Sequence, residues 1–471
     1  MSRILVAGLC PLPNENTPKS YGPGIRTWQL AKSLAAAGHQ VRIVAMRIGD
    51  AYLPAERVNE QGSVEGIEVQ RVLEGPFLSG DALRPHLASG WPDAVVGATV
   101  YGSHALARQP PTIPFWADQF GHVMAEAQAK AALDRSNAVL PYFWRLLEPV
   151  MTHADRISVV SERQRWAAVG ELGVLGRLTA ETCGYEFTAV IPCAYVPERS
   201  TRAAEMGSRD VRAELGIERD AFVVLWSGSF NVWSDVETLF RALETVMQAR
   251  REVHFLSTGA EITGHDETTY ARFVRLVEGS PFRARIHLRG WVPGSDVLAH
   301  WAAADLGVLA EQPIYEGALG SKNRIVQWLG HGLPVLYNRM GELGELIAGE
   351  RLGLTFASGD ADDLAARIAW ACEHRGELAE YAARARAYVA EKLTFEATTT
   401  PLVAWAADPR FAPDREGAPG AAAARGFSIQ ALAAKELLQA LKTVPGVRRS
   451  QLLRRVWRWL KRHRGVPAGG T

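Results

Sequence analysis

A chain of 471 residues is too long for one ordinary hydrophobic core, and about 150 residues per domain points to two or three units. Its 47% hydrophobic and 22% charged residues exclude disorder of the whole chain, and a formal charge of only +1 supplies no overall field to recruit nucleic acid. The four cysteines, Cys10, Cys183, Cys193 and Cys372, form no CxxC pair and read as reduced thiols rather than zinc ligands. The opening MSRILVAGLCPLP is too short in apolar run for a secretory signal, and no window reaches the ~18 apolar residues of a membrane span, so a cytoplasmic location is expected.

In chain order, Arg3 to Leu9 is a continuous apolar run of strand length, followed by a Pro- and Gly-rich loop ending SYGPGIR. An apolar stripe at Trp28, Leu30, Leu34 and Ala37, a stop at Gly38 and a run from Val41 to Met46 predict a helix and a second strand. PDAVVGATV, IPFWADQF and ADRISVVS predict further buried strands, with YFWRLLEPVMTHA a helix before the last. This first α/β unit is expected to span 1–197. A charged stretch from Glu198 to Asp220 breaks the rhythm as a linker and short helix, after which the pattern restarts. AFVVLWSGS, REVHFLSTG, ARIHLRGWV, LGVLAE and LPVLYN read as strands, alternating with helices such as DVETLFRALETVMQA and NRIVQWLGHG. The second unit, 198–408, thus repeats the architecture of the first: two Rossmann-like doubly wound domains facing across a cleft, with the last helix of the second free to cross back to the first. Open parallel sheets bind ligands beyond the carboxyl ends of their strands, which makes that cleft the expected site. From Pro409 to 471 a Pro-, Gly- and Ala-rich linker leads to a basic tail.

Ser321, Lys322, Asn323 and Arg324 stand where a helix begins, so backbone N–H groups and two cations converge where an anion would bind. Gln327 follows one turn later on the same helix face. Gly22 and Gly24 precede another helix and let backbone approach a ligand, although GxG after so long a loop is no dinucleotide fingerprint. No HxxxH or HExxH spacing occurs, and the aspartates of DADD, 360–363, read as a helix cap, so no metal is expected.

Taken in order, GPGIRTWQLAKSLAAAGHQV, ADRISVVSE, RGWVPGSDVLAHWAAADLGVLAE and NRIVQWLGHGLPVLYN followed by GELGELI resemble the GT-B glycosyltransferases, and within them the family-4-like retaining enzymes, over roughly Arg3 to Asp408. The resemblance implies a nucleotide-sugar donor, no cofactor and no metal. Such a donor needs charge neutralisation at the leaving diphosphate, polar groups on its ribose and backbone contacts to its base. It assigns the diphosphate to Gly22, Gly24, Ser321, Lys322, Asn323 and Arg324, the ribose to Gln327, and the base to the turns at Gly259, Gly290 and Val292. It carries Glu316 over as the family's first glutamate, with a three-residue offset, and assigns contacts with sugar or acceptor to Asp118 and His122, the latter with a rival reading as a helix cap. Two departures stand out. Gln327 occupies the place of the family's second carboxylate. The loop SGSFNVWSDVETL lacks the family's Arg and Lys and offers Ser229, Asn231, Trp233 and Ser234 instead, with Asp235 read first as a helix cap. Either Lys322, Arg324 and Arg26 supply the missing charge or the donor is held differently.

Between Val447 and Gly465 eight Arg or Lys residues and no carboxylate accompany Leu453, Val456, Trp457 and Leu460 at helical spacing. This basic amphipathic segment suits an anionic membrane surface, at the inner face of a membrane, which would fit a lipid-linked acceptor; a glycan or a lipid-linked acceptor is expected. Nothing else in the chain supports nucleic-acid binding. The expectation is a glycosyltransferase of polysaccharide or glycolipid biosynthesis. A GT-B nucleotide-sugar epimerase and a catalytically silent sugar-nucleotide-binding protein are the alternatives.

Overall fold

The structure, a computed structural model, describes residues 1–109, 111–197 and 209–415. In the first unit β1 (Arg3–Cys10), β2 (Gln40–Arg47), β3 (Glu60–Val64), β4 (Ile67–Val72), β5 (Ala94–Gly97), β6 (Phe115–Asp118), β7 (Arg156–Val159) and β8 (Thr188–Val190) pair in the order β3-β4-β2-β1-β5-β6-β7-β8. All pairs are parallel except β3 with β4. The unbroken apolar run of β1 follows from burial on both faces: Leu5, Ala7 and Leu9 enter one core and Ile4, Val6 and Cys10 the other.

In the second unit β9 (Phe222–Ser227), β10 (Val253–Thr258), β11 (Ile286–Leu288), β12 (Leu306–Leu309), β13 (Val335–Asn338) and β14 (Leu354–Phe356) pair in the order β11-β10-β9-β12-β13-β14, all parallel. In both sheets the strand order reverses at the centre, between β1 and β5 and between β9 and β12. The loops leaving β1, β9 and β12 therefore open at switch points, where neighbouring crossovers diverge and leave room for a ligand.

The end of the chain returns to the first unit, and one expectation, the free linker from Pro409, needs correction. The helix Phe395–Ala407 packs on the first unit's helix Gly22–Ala36, burying Leu402 and Ala406 in the first unit's core, with Gln29 Nε2 donating to Thr398 Oγ1 at 2.9 Å. Residues 409–415 are not a free linker: Ala412 is fully buried, Arg177 pairs with Asp414 at 2.8 Å and Arg415 with Asp155 at 2.7 Å. A Pro- and Ala-rich composition hid two buried ion pairs that tie the chain down. The amphipathic segment 447–465 lies outside the described residues. Among the described residues no helix is long and apolar enough to cross a membrane.

Candidate functional site

The carboxyl ends of both sheets face a single cleft of about 1050 Å³. Its first-unit wall includes Leu9, Met46 and Phe120, and its second-unit wall Ser227, Thr258, Leu309 and Glu311. Two helices begin on it, Gly22–Ala36 from the first unit and Asn323–His331 from the second, and neither has a side chain capping its first turn. Asp210, Asp235, Asp360, Ser161, Thr394 and His122 cap other helices, but several more helices lack a side-chain cap as these two do, so what distinguishes these starts is their position on the cleft. The two open starts nearly meet, for a side chain added at Gly22 would come within 3.7 Å of Asn323 Nδ2. Unpaired N–H groups and the positive ends of two helix dipoles thus point into one space, an arrangement that attracts an anion.

Arg324 supplies charge to that space. Its Nη2 donates to the Ser229 carbonyl at 2.8 Å and its guanidinium lies 5.4 Å from the Trp226 ring centre, while buried Nη1 has no partner. Burial lowers its pKa to about 10, which leaves it a cation at neutral pH. Glycine at 228 and 259 makes this packing possible. Gly259, at φ +102°, would bring a Cβ within 2.3 Å of the Gly228 carbonyl, and Gly228, at φ +99°, would bring one within 3.3 Å of the Arg324 guanidinium. Gly259 N donates to the Gly290 carbonyl at 2.6 Å, so the turns after β9, β10 and β11 are stitched together. Gly228, Gly259 and Val292 line the cleft, whereas Gly290, assigned to the base, does not and instead holds Gly259 through its carbonyl. Ser229, Ser321 and Asn231 line it too, and Asn231 Oδ1 is buried without a partner.

Beside Arg324, Lys322 forms a buried charge cluster. Its Nζ is 2.7 Å from both carboxylate oxygens of Glu316, 3.1 Å from Glu311 Oε1 and 5.0 Å from the Trp233 ring centre. Burial opposes the lysine's charge, but the two carboxylates outweigh it and raise its pKa. Burial, with Glu311 adding to it against the pull of Lys322, lifts Glu316 to about 7. Glu311, which also accepts from Tyr337 Oη at 2.7 Å, is absent from the sequence-based site. Its signal was a lone carboxylate directly after the buried run LGVLA of β12, where water cannot compensate it.

Besides Lys322 and Glu316, which hold each other, six assigned residues lie outside the cleft lining or are already engaged, Gly290 among them. Arg26 and Asp118 are both fully buried in a bidentate pair, at 2.6 and 3.0 Å. Arg26 Nη1 donates to Gln29 and to the Pro192 carbonyl, and Asp118 also accepts from Ser158 Oγ and Thr99 N. Arg26 therefore has no free nitrogen for a diphosphate, nor Asp118 an open face for a sugar hydroxyl. Gly24 serves packing instead, since a Cβ there would stand 1.8 Å from the Pro11 carbonyl. His122 caps the helix Val123–Asp134 through Nδ1, which accepts from Ala125 N at 3.1 Å, and it lines a separate hollow. Gln327 is buried, with Oε1 accepting from Val196 N at 3.1 Å and Nε2 donating to Ala194 O at 2.8 Å and Asn323 Oδ1 at 3.1 Å. It lines the cleft but pins the second unit's helix to the inter-unit segment, so its amide is not free for a ribose. Asp235 and Asp360 cap helices, as their positions suggested. Among the described residues no cluster of three or more His, Cys, Asp or Glu stands ready for a metal ion.

Comparison with known proteins agrees with this geometry. Residues 21–179 match the model of the glycosyl transferase 4-like domain and residues 221–374 that of the glycosyl transferases group 1, together about two thirds of the chain. No curated protein matches the chain in sequence. Among solved structures, sucrose-phosphate synthase from Thermosynechococcus elongatus superposes with a TM-score of 0.63 at 16% identity, over 85% of this chain and 97% of its own. Anabaena HepE in complex with UDP and glucose gives 0.59 at 17% identity, over 87% and 100%. A trehalose-6-phosphate protein from E. coli bound with UDP-2-fluoro glucose gives 0.59 at 12% identity, over 87% and 100%. With both units matched in the family's order and the two sheets facing one cleft, the chain is a GT-B glycosyltransferase of the family-4-like type.

Proposed function

We propose that the chain transfers a sugar from a nucleoside diphosphate sugar to a hydroxyl of a glycan or lipid-linked acceptor, with retention at the anomeric carbon, in polysaccharide or glycolipid assembly. The observation that carries this reading is the pair of uncapped helix starts meeting beside Arg324 Nη1, a buried donor without a partner. As the sugar leaves, negative charge grows on the diphosphate. Donors fixed before the reaction stabilise that charge without reorganising, and they do so most strongly where water is excluded. In this reading the base lies against the turns at Gly228 and Gly259 and against Val292, which stand on the cleft. HepE and the E. coli protein are bound with uridine nucleotides, which makes UDP the first nucleotide to test.

With Asp118 and His122 engaged elsewhere, the acceptor proton passes to the departing phosphate oxygen on the same face of the sugar. That path requires orientation rather than a dedicated protein base. Arg324 and the helix starts supply the positive charge, so activity is expected to survive chelation of divalent ions. The test incubates the purified protein with a panel of UDP-, GDP-, TDP- and ADP-sugars and follows nucleotide release. Release from one donor, about 100-fold slower in Arg324→Ala, supports the reading; product NMR then reports retention and separates transfer from epimerisation. No release from any donor contradicts it.

A further inference from the structure

Outside the cleft, an apolar ridge on the first unit lies exposed among the described residues. The helix Glu162–Val174 turns Gln164, Ala168 and Leu172 inward, which leaves Trp166, Gly170, Gly173 and Val174 on its outer face at i, i+4, i+7 and i+8. Trp166 and Val174 are each 65% exposed. Leu178, 52% exposed, lies against the same face, since a Cβ at Gly173 would stand 3.5 Å from its Cδ1. Three large apolar side chains thus line up along one helix, unlike the scattered single exposures that need no explanation. Of the charges beside them, Arg163 and Arg165 are in ion pairs with Glu345 and Glu162, and exposed Glu181, which accepts from Thr179 Oγ1 at 2.7 Å, adds a further carboxylate. The described chain ends at this ridge. Asp414 accepts from Arg177, the residue before Leu178, at 2.8 and 2.9 Å, and Arg415 is held by Asp155 and the Pro111 carbonyl.

We infer that this ridge is the docking surface for the chain's own segment 447–465, with Leu453, Val456, Trp457 and Leu460 laid along Trp166, Val174 and Leu178 of the same molecule. The tether is long enough. About 30 residues separate Arg415 from Val447 and, even at the roughly 1.5 Å per residue of a helix, cover about 45 Å, against about 20 Å for the ridge helix. Because the tether starts at one end of the ridge, the segment is held at high local concentration over it. The apolar spans agree, for Leu453 to Leu460 and Trp166 to Gly173 each cover seven residues, about 10 Å at helical rise. Charge favours this occupant over a lipid surface. The ridge is flanked by an excess of carboxylate, which suits a segment with eight Arg or Lys residues and no carboxylate and would meet an anionic membrane with like charge. Glu342 of the second unit accepts from Glu162 N at 2.9 Å, so the docked segment lies on a helix that joins the two units.

The test uses the full chain with a benzophenone amino acid in place of Leu460. A mixture of isotope-labelled and unlabelled protein is photolysed in lipid-free buffer, and the cross-linked peptides are identified by mass spectrometry. Cross-links to residues 166–178 are expected within single molecules, about tenfold fewer in Trp166→Ser and in Leu178→Ser, where apolar contact is lost. Both side chains are exposed, so neither change touches the core, and melting temperatures equal to that of the wild type verify this. Cross-links joining labelled to unlabelled peptides would assign the ridge to a second copy of the chain and overturn the docking. Cross-links elsewhere on the chain, none at all, or yields indifferent to both substitutions would also overturn it. Flotation with phosphatidylglycerol vesicles supplies the remaining outcome. Vesicle binding that Trp166→Ser weakens about tenfold, without cross-links to the ridge in buffer, would make the ridge a lipid-binding surface instead. None of these readouts involves a nucleotide or a sugar, so they stand apart from the transferase reading.

Discussion

Arg26 and Arg324 both stand near the start of helices that open on the cleft, but their hydrogen bonding differs. Arg26 is fully buried with every guanidinium nitrogen engaged by Asp118, Gln29 or Pro192. Arg324 holds one carbonyl and leaves Nη1 buried without a partner. An arginine saturated by its own protein is structural, and one kept dry and unsatisfied is expensive unless a ligand completes it. Proximity to a glycine turn does not separate the two cases; hydrogen-bond accounting does.

The largest effect that would break this comparison is on stability. Arg26→Ala strands the Asp118 carboxylate in the core and should cost about 3–5 kcal/mol in urea unfolding, while nucleotide affinity of the folded fraction stays near wild type. Near-normal stability with lost nucleotide binding would exchange the roles of the two arginines. Next in size, Arg324→Ala should weaken nucleotide binding about 100-fold, measured by calorimetry, with a stability change below about 1 kcal/mol. Arg324→Lys should restore little, because an ammonium cannot hold Ser229 and a phosphate with one planar fork.

A smaller effect is expected at Gln327. Gln327→Ala removes three hydrogen bonds and should cost about 1–3 kcal/mol. Gln327→Glu sets an acceptor against the Ala194 carbonyl and should destabilise rather than improve donor binding. A gain in nucleotide affinity would mean that this position reads the ribose after all. The smallest effect concerns the abandoned His122 site. Burial lifts its neighbour Glu171, 3.4 Å from His122 Nε2, to about 7. Between about pH 4.5 and 7 the folded chain retains a proton that the unfolded chain has released, so this group makes stability fall as pH rises. Glu171→Gln should remove about 1–3 kcal/mol of that decline in unfolding series from pH 5 to 7.5; an unchanged slope would mean that Glu171 titrates normally.

The parallel sheets were readable because β1 and β9 are almost wholly apolar runs and β9 and β10 lead directly into glycine turns, where periodicity and turn chemistry agree. The edge strand β3, EQGSV, escaped notice because four of its five residues are exposed and no alternation marks it. Within the site, the helix start 321–324 was visible as charge preceding an apolar stripe. The engagement of Arg26 by Asp118 was not, since 92 residues separate them and only the fold brings them together. Gln327 misled for a related reason: its helical register with Asn323 was right, but its main-chain partners Ala194 and Val196 lie across the inter-unit segment. Glu311 was passed over because a carboxylate ending a strand usually meets solvent, whereas here it meets Lys322 and Tyr337.

The most direct measurement is the thermal shift of wild type and Arg324→Ala with UDP, GDP, TDP and ADP. Stabilisation of the wild type by one of these nucleotides, absent in the variant although both melt alike without ligand, is the expected result and identifies the base. An equal shift in both proteins, or none with any nucleotide, would contradict the donor site at the facing helix starts.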